Sequence, residues 1–259
     1  MTACISITRQ QNVFRLLSVK SMKAAPYKVI LFDLFHTLIN VSTAPGAAGR
    51  YTADILGVGR DEWNRACFGA AHDITGPTQQ REVIRALAHS LDPAIAIEKI
   101  DEAADERQRR FDYALCHVEA EVLSLLGQLR GTGLRLGLIS NASTDEVAAW
   151  PDSPLSALFD EAIFSCHVGL CKPQAGIYLH ALERMGVGVA EALFVGDGGS
   201  EEHQGAAALG LDNVLLTRYL SGYSAERLAP RRAAVKWEIA HLRELPPLLG
   251  ALAEKKKGA

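Results

Sequence analysis

Along the chain a short apolar run closed by a polar or small residue occurs repeatedly. Residues 28–33 read Lys-Val-Ile-Leu-Phe-Asp and residues 135–140 read Arg-Leu-Gly-Leu-Ile-Ser; residues 161–165, 192–196 and 212–217 repeat the form. Continuous apolar runs of this length are what strands buried on both faces of a parallel sheet require. Between several of them the period changes to that of a helix. Residues 118–129 place Val122, Leu125, Leu126 and Leu129 on one face before the stop signal Arg130-Gly131, and residues 177–185 form another helical stretch. Ser143-Thr144-Asp145-Glu146 has the form of a capping box and predicts a helix straight after the second strand. The alternation predicts an α/β fold, a parallel sheet covered by helices, with ligands at the carboxyl ends of the strands beside the switch in strand order.

The stretch 43–113 breaks this rhythm. It shows no strand pattern, and helices are expected over 61–71, over 78–91 with Val83, Ile84, Leu87 and Leu91 on one face, and over 97–115. The reading is a core of residues 27–42 plus 114–250 with a helical cap at 43–113 inserted between the first and second strands. Residues 1–26 are expected to be a flexible extension and residues 251–259, with Lys255-Lys256-Lys257, a flexible tail.

With 259 residues, 48% apolar and 22% charged, the composition is that of a globular enzyme rather than a disordered or fibrous chain. Lys and Arg number 27 against 30 Asp and Glu, a net charge of -3, so no bulk attraction to nucleic acid is expected. No apolar run reaches the roughly 18 residues of a membrane span. Five cysteines, irregularly spaced and without a Cys-x-x-Cys pair, fit a reducing compartment and a cytoplasmic location. Residues 1–32 carry basic and hydroxyl residues but no acid. That pattern fits either an upstream start, with Met22 the true beginning, or an organelle-targeting segment.

The chemistry stands at the strand ends. Asp33 closes the first run, with Thr37 four residues on; Ser140 and Asn141 close the second; Lys172 follows the third and Asp197 ends the fourth. Two carboxylates can hold a hard cation such as Mg2+. A hydroxyl, an ammonium and backbone N–H groups can bind the oxygens of a phosphoryl group. A carboxylate beside such a group is a plausible nucleophile once a cation screens the repulsion.

These residues carry a resemblance. Phe32-Asp33-Leu34-Phe35-His36-Thr37-Leu38, Leu138-Ile139-Ser140-Asn141, Val168-Gly169-Leu170-Cys171-Lys172-Pro173 and Phe194-Val195-Gly196-Asp197, in that order, resemble the motifs of the haloacid dehalogenase-like (HAD) hydrolase superfamily, with the insertion where the first-type helical cap lies. The resemblance covers residues 28 to about 250. It implies a modified Rossmann core and a mobile cap, with Asp33 as the phosphorylated nucleophile. Ser140 would bind a phosphoryl oxygen and Lys172 would balance charge. Mg2+ would be held by Asp33, Asp197 and the backbone carbonyl of Phe35. Asn141 would border the site, with Thr37 and His36 beside it.

One position departs from the family pattern. Phe35 stands where phosphatases of the family carry a second Asp that protonates the leaving oxygen, and Phe transfers no proton. Dehalogenases of the family carry an aromatic residue there. They need no metal, however, whereas this chain keeps Asp197, with Glu201 and Glu202 after it and Glu202 where many members have another Asp. Phosphonatase-like chemistry would need a cap lysine, and Lys99, beside Glu98 and Glu102, reads as a solvated one. A magnesium-dependent phosphatase acting on a small-molecule phosphate ester is the leading reading, with no nucleic-acid or membrane partner. A 2-haloacid dehalogenase-like hydrolase and a catalytically weak phosphoryl-ligand binder are the alternatives.

Other residues are read more plainly. His36 is the nearest candidate acid, although alternation could turn it away from the site. His72, His89 and His117 are read as packing or surface residues, and His203 as lying on a helix surface. Arg107, Arg109 and Arg110 are read as a solvated helix face, the alternative being that one of them reaches down to an anionic substrate; Tyr178 is read as a core aromatic, and Cys166 and Cys171 as small packing residues.

Overall fold

The computed structural model describes residues 26–41, 50–67 and 74–257. In chain order, β1 (Val29–Phe32) is followed by α1 (Thr52–Leu56), α2 (Arg60–Cys67), α3 (Gln80–Leu91) and α4 (Ile97–Cys116). The chain then passes through α5 (Ala120–Gly131), β2 (Arg135–Ser140), β3 (Glu161–Phe164), α6 (Ser165–Val168), α7 (Ala175–Met185), β4 (Ala192–Gly196) and α8 (Glu202–Ala208). It ends with β5 (Asp212–Leu216), α9 (Ala225–Ala233), β6 (Trp237–Ile239) and α10 (Leu245–Lys257). The expected α/β, Rossmann-like architecture is what is found.

All strand pairs are parallel, and the order is β3-β2-β1-β4-β5-β6. The order reverses at β1, which lies between β2 and β4, so the crevice beyond their carboxyl ends is where such a sheet offers a site. Successive side chains of β1 alternate between its two covered faces. Ile30 and Phe32 enter the core under α5 and α10, and Val29 and Leu31 enter the core under α7 and α8. Each fully buried Leu, Ile or Phe stabilises the sheet by roughly 1.5–3 kcal/mol. The register then sets the chemistry. Phe32 pairs with Leu138 on one side and Val195 on the other. Asp33, Ser140 and Asp197 therefore reach the edge of the sheet within two residues of one another along adjacent strands.

The helices between β1 and β2 have an apolar cluster of their own, built on Leu56, Trp63, Ile84, Leu87 and Ile100. The helix α4 joins the two parts. Its Ile100, Ala103 and Ala104 belong to the insert's cluster, while Ala114 and Leu115 belong to the sheet's core.

Some expectations differ from the structure. After β2 the capping-box sequence starts a 3-10 turn, Asp145–Val147, followed by two more such turns, rather than an α-helix. Only half of the box forms: the Ser143 N–H donates to the Glu146 carboxylate at 2.9 Å, and the Ser143 hydroxyl caps nothing. Pro151 and Pro154 follow at once and deny the backbone the N–H groups a longer helix needs. The short edge strand β6 carried no apolar run of its own. The chain does not become a loose tail after residue 250, because α10 continues to Lys257 with Leu249, Leu252 and Ala253 buried. The expected N-terminal extension up to residue 25, the end of the helix expected over 61–71, and His72 lie outside the described residues. Among the described residues no helix is long and apolar enough to cross a membrane.

Candidate active site

Asp33 is the first residue past β1, its N–H bonded to the carbonyl of Val195 at 2.9 Å. Its carboxylate is 5% exposed and both oxygens are engaged. Oδ1 accepts from Lys172 Nζ at 2.5 Å and Oδ2 from Thr37 Oγ1 at 2.8 Å. The tight turn over residues 34–39 brings Thr37 back to Asp33. The Leu38 N–H donates to the Leu34 carbonyl at 2.9 Å, and His36 takes a left-handed φ of 61°. That bend removes the simple alternation expected of a strand, so His36 and Phe35 both line the cavity above Asp33. The Phe35 ring meets the edge of Phe111 on α4, centroids 5.1 Å apart. An apolar wall, and no proton donor, thus occupies this position.

Lys172 is fixed from both ends. Asn141 holds its backbone at two points, Oδ1 accepting from the Lys172 N–H at 2.8 Å and Nδ2 donating to its carbonyl at 2.9 Å. The ammonium bridges Asp33 and Glu202, with Glu202 Oε2 at 2.6 Å. Glu202 opens α8 and folds back over Gly196, where its other oxygen accepts from the Gly198 N–H at 2.7 Å. A Cβ at position 196 would lie 2.1 Å from Glu202 Oε1, so this fold-back requires glycine. Gly205 does the same for the neighbouring helix turn, since a Cβ there would lie 2.3 Å from the carbonyl of Pro173. Tyr178, a core aromatic as expected, donates its hydroxyl to the Glu202 carbonyl at 2.7 Å.

Asp197 accepts from Arg231 of α9 at 2.9 Å on Oδ2 and from the Gly199 N–H at 2.9 Å on Oδ1. Asp33, Asp197 and Glu202 each bring one carboxylate oxygen within 4.8 Å of the others, all buried. Burial raises the Asp33 carboxyl above the usual carboxylate range; Lys172 opposes the rise and Asp197 adds to it. Burial, against Lys172 and with the help of Asp33 and Asp197, pushes Glu202 up to about 8. Burial works against the Lys172 charge, but Asp33 and Glu202 outweigh it and raise its affinity for the proton. The donor set of three oxygens suits a hard divalent cation, and the clustered negative charge gives such an ion a purpose.

Every predicted site residue is found at or beside this edge, with two qualifications. Ser140 is fully buried and is not among the residues lining the cavity; its Oγ has no partner among the described residues. Asn141 lines the cavity, but its amide is committed to Lys172. The sequence reading placed His203 on a helix surface, and that is corrected: it is fully buried, with Nε2 on the Gly196 carbonyl at 3.2 Å. Burial pushes its imidazole down to about 4. The reading of the three arginines as a solvated face holds for Arg109, which is exposed, and fails for Arg107 and Arg110, which line the cavity. Arg231 was not anticipated; it lies far along the chain, and nothing in its local sequence marks it. Lys99 is exposed, as expected.

Comparison with known proteins identifies the family. Residues 27–210 match the haloacid dehalogenase-like hydrolase family. The chain belongs to that family. A haloacid dehalogenase-like hydrolase from Pseudomonas sp. (strain CBS-3), (S)-2-haloacid dehalogenase 1, is 24% identical over 88% of this chain and 99% of its own length. Glyceraldehyde 3-phosphate phosphatase of Methanothermobacter thermautotrophicus is 33% identical, over 44% of this chain and 50% of its own. The L-2-haloacid dehalogenase structure from Xanthobacter autotrophicus shares the fold, with a TM-score of 0.58 at 22% identity over 86% of this chain and 98% of that one. The hydrolase family thus includes both phosphatases and dehalogenases among this chain's relatives.

Proposed function

We propose that this hydrolase is a magnesium-dependent phosphatase in which Asp33 attacks a phosphoryl group, beneath a helical cap formed by residues 43–113. The observation that carries this reading is the convergence of the buried carboxylates of Asp33, Asp197 and Glu202 within 4.8 Å. Lys172 and Arg231 set two positive charges against three carboxylates, and a bound divalent cation would let all three ionise where burial otherwise favours keeping a proton on one of them. Asp33, Asp197 and Glu202 would hold the ion, with the Phe35 carbonyl as a further ligand. A divalent cation bound there would lower the repulsion between the attacking carboxylate and the phosphoryl oxygens.

An Asp33 oxygen forms a bond to phosphorus as the ester P–O bond breaks, and the ester oxygen leaves with the electron pair. Lys172 neutralises the charge next to the attacking oxygen. Water then attacks the aspartyl phosphate, releasing phosphate and restoring the carboxylate. Because Phe35 donates no proton, the leaving group departs unprotonated or takes its proton from His36, which lines the same cavity.

The alternative is hydrolysis of 2-haloacids, where a halide leaves without a proton. It is favoured by the apolar Phe35–Phe111 wall and by likeness along nearly the whole length of a haloacid dehalogenase. A panel of phosphate esters, acyl phosphates and 2-haloacids, each with Mg2+ and with EDTA, separates the readings. Phosphate release that EDTA abolishes is the expected result. Halide release unaffected by EDTA assigns the site to the alternative, and phosphate binding without turnover assigns it to a phosphoryl-ligand binder.

A further inference from the structure

The cavity above Asp33 has a volume of about 450 Å3, the size that suits a small metabolite. Its far wall is formed by the insert, and the polar group there with least reason to be buried is Arg110. Its side chain is on α4 and the residue is 6% exposed. Nη2 donates to the buried hydroxyl of Thr52 at 3.0 Å, while Nε has no acceptor. Among the described residues no carboxylate pairs with it. Of the other arginines lining the cavity, Arg107 is paired with Glu146 and Arg231 with Asp197, while Arg227 is exposed to water and lies over the Tyr223 ring. Beyond Thr52, Arg110 faces the Tyr51 ring, 5.3 Å from its centroid, and the like charge of Arg107, while the nearest acid acting on it, Asp54, has both oxygens bonded to Arg60.

A buried guanidinium without a counter-ion is costly in a closed fold unless a ligand supplies the missing charge. A guanidinium presents a planar fork of N–H donors that suits a carboxylate. We propose that Arg110 receives a carboxylate of the substrate, so that the site takes small phosphate monoesters bearing a carboxylate at the end remote from phosphorus. This rests on the phosphatase reading for the reacting end and extends it to the other end. Arg107, held by Glu146 and lying over the Phe111 ring with Cζ 4.6 Å from its centroid, strengthens the positive field on that wall.

The test uses two esters of nearly equal size, 3-phosphoglycerate and glycerol 3-phosphate, which differ by a carboxylate in place of a hydroxymethyl group. In the wild type kcat/KM is expected to favour 3-phosphoglycerate by roughly 10- to 100-fold, the value of a charge-assisted hydrogen bond. Arg110→Gln collapses that ratio towards one, mainly through KM, and Arg110→Lys holds it part-way. A wild-type ratio near one, or a ratio that Arg110→Gln leaves intact, overturns the subsite while the phosphatase reading stands. Release from neither ester leaves the phosphatase reading to the wider panel, and calorimetry then decides on the subsite. Asp33→Asn protein should bind 3-phosphoglycerate more tightly than glycerol 3-phosphate, and adding Arg110→Gln should abolish the difference; equal binding of the two overturns the subsite. Calorimetry on the folded protein keeps the question open to refutation if turnover is lost for other reasons.

Discussion

The two walls of the cavity differ in how their charges are matched. On the sheet side the buried charged groups hold one another: Lys172 lies between Asp33 and Glu202, Thr37 and Gly198 supply further hydrogen bonds, and Arg231 holds Asp197. On the insert side Arg107 has its partner, but Arg110 keeps an Nε without an acceptor. The matched wall is organised before any substrate arrives, as an attacking group must be. The unmatched wall is completed by the ligand, as a group that selects must be. Reaction and selection are therefore built by different parts of the chain, the strand ends and the face of one helix.

The largest expected effect tests how tightly the sheet wall is coupled. Lys172→Met leaves Asp33 and Glu202 facing each other in a dry site, and removing one member of such a group costs about 3–5 kcal/mol. Urea unfolding should show that loss, along with loss of turnover; a change within error would mean that the two carboxylates are not held apart by this ammonium. The substitution of Arg110 described above should act more mildly on stability and chiefly on the ratio between substrates. If it destabilises as strongly as Lys172→Met, the contrast between the walls fails.

The smallest effect concerns His203, beneath the sheet wall. Its folded imidazole is pushed down to about 4 by burial, against an ordinary value of 6.5. Below the ordinary value the unfolded chain takes up a proton that the folded chain refuses. Its contribution to stability is therefore complete above about pH 6.5 and is lost as the pH falls towards 4. From pH 7 to pH 5 the loss amounts to about 2 kcal/mol. His203→Gln should flatten this acid limb in urea melts at the two pH values. An unchanged slope would show that His203 does not resist protonation.

The sheet wall was legible in the sequence because its residues are placed by local rules. An apolar strand ends, a polar residue follows, and parallel register gathers those residues whatever lies between them. Asp33, Thr37, Ser140, Asn141, Lys172 and Asp197 could be named on that basis. Glu202 was visible as an acid near Asp197, but its contact with Lys172 depends on the fold-back over Gly196. Arg231 carried no local signal, and Arg110 could be named only as one of three neighbouring arginines, because tertiary packing alone decides which one is buried. The helix expected after β2 failed for a local reason, because the proline-rich stretch competes with the capping signal. His203 was misplaced because its polarity suggested a surface, whereas the Gly196 carbonyl satisfies it inside.

The account depends most on Asp33 as the attacking group, and the direct test is the rate of phosphate release by Asp33→Asn under Mg2+. Asn at this position retains the shape and can still bond Thr37, but it has no carboxylate to form the aspartyl phosphate. Turnover is predicted to fall to background while the protein stays folded. Turnover equal to that of the wild type would contradict the mechanism proposed for this site.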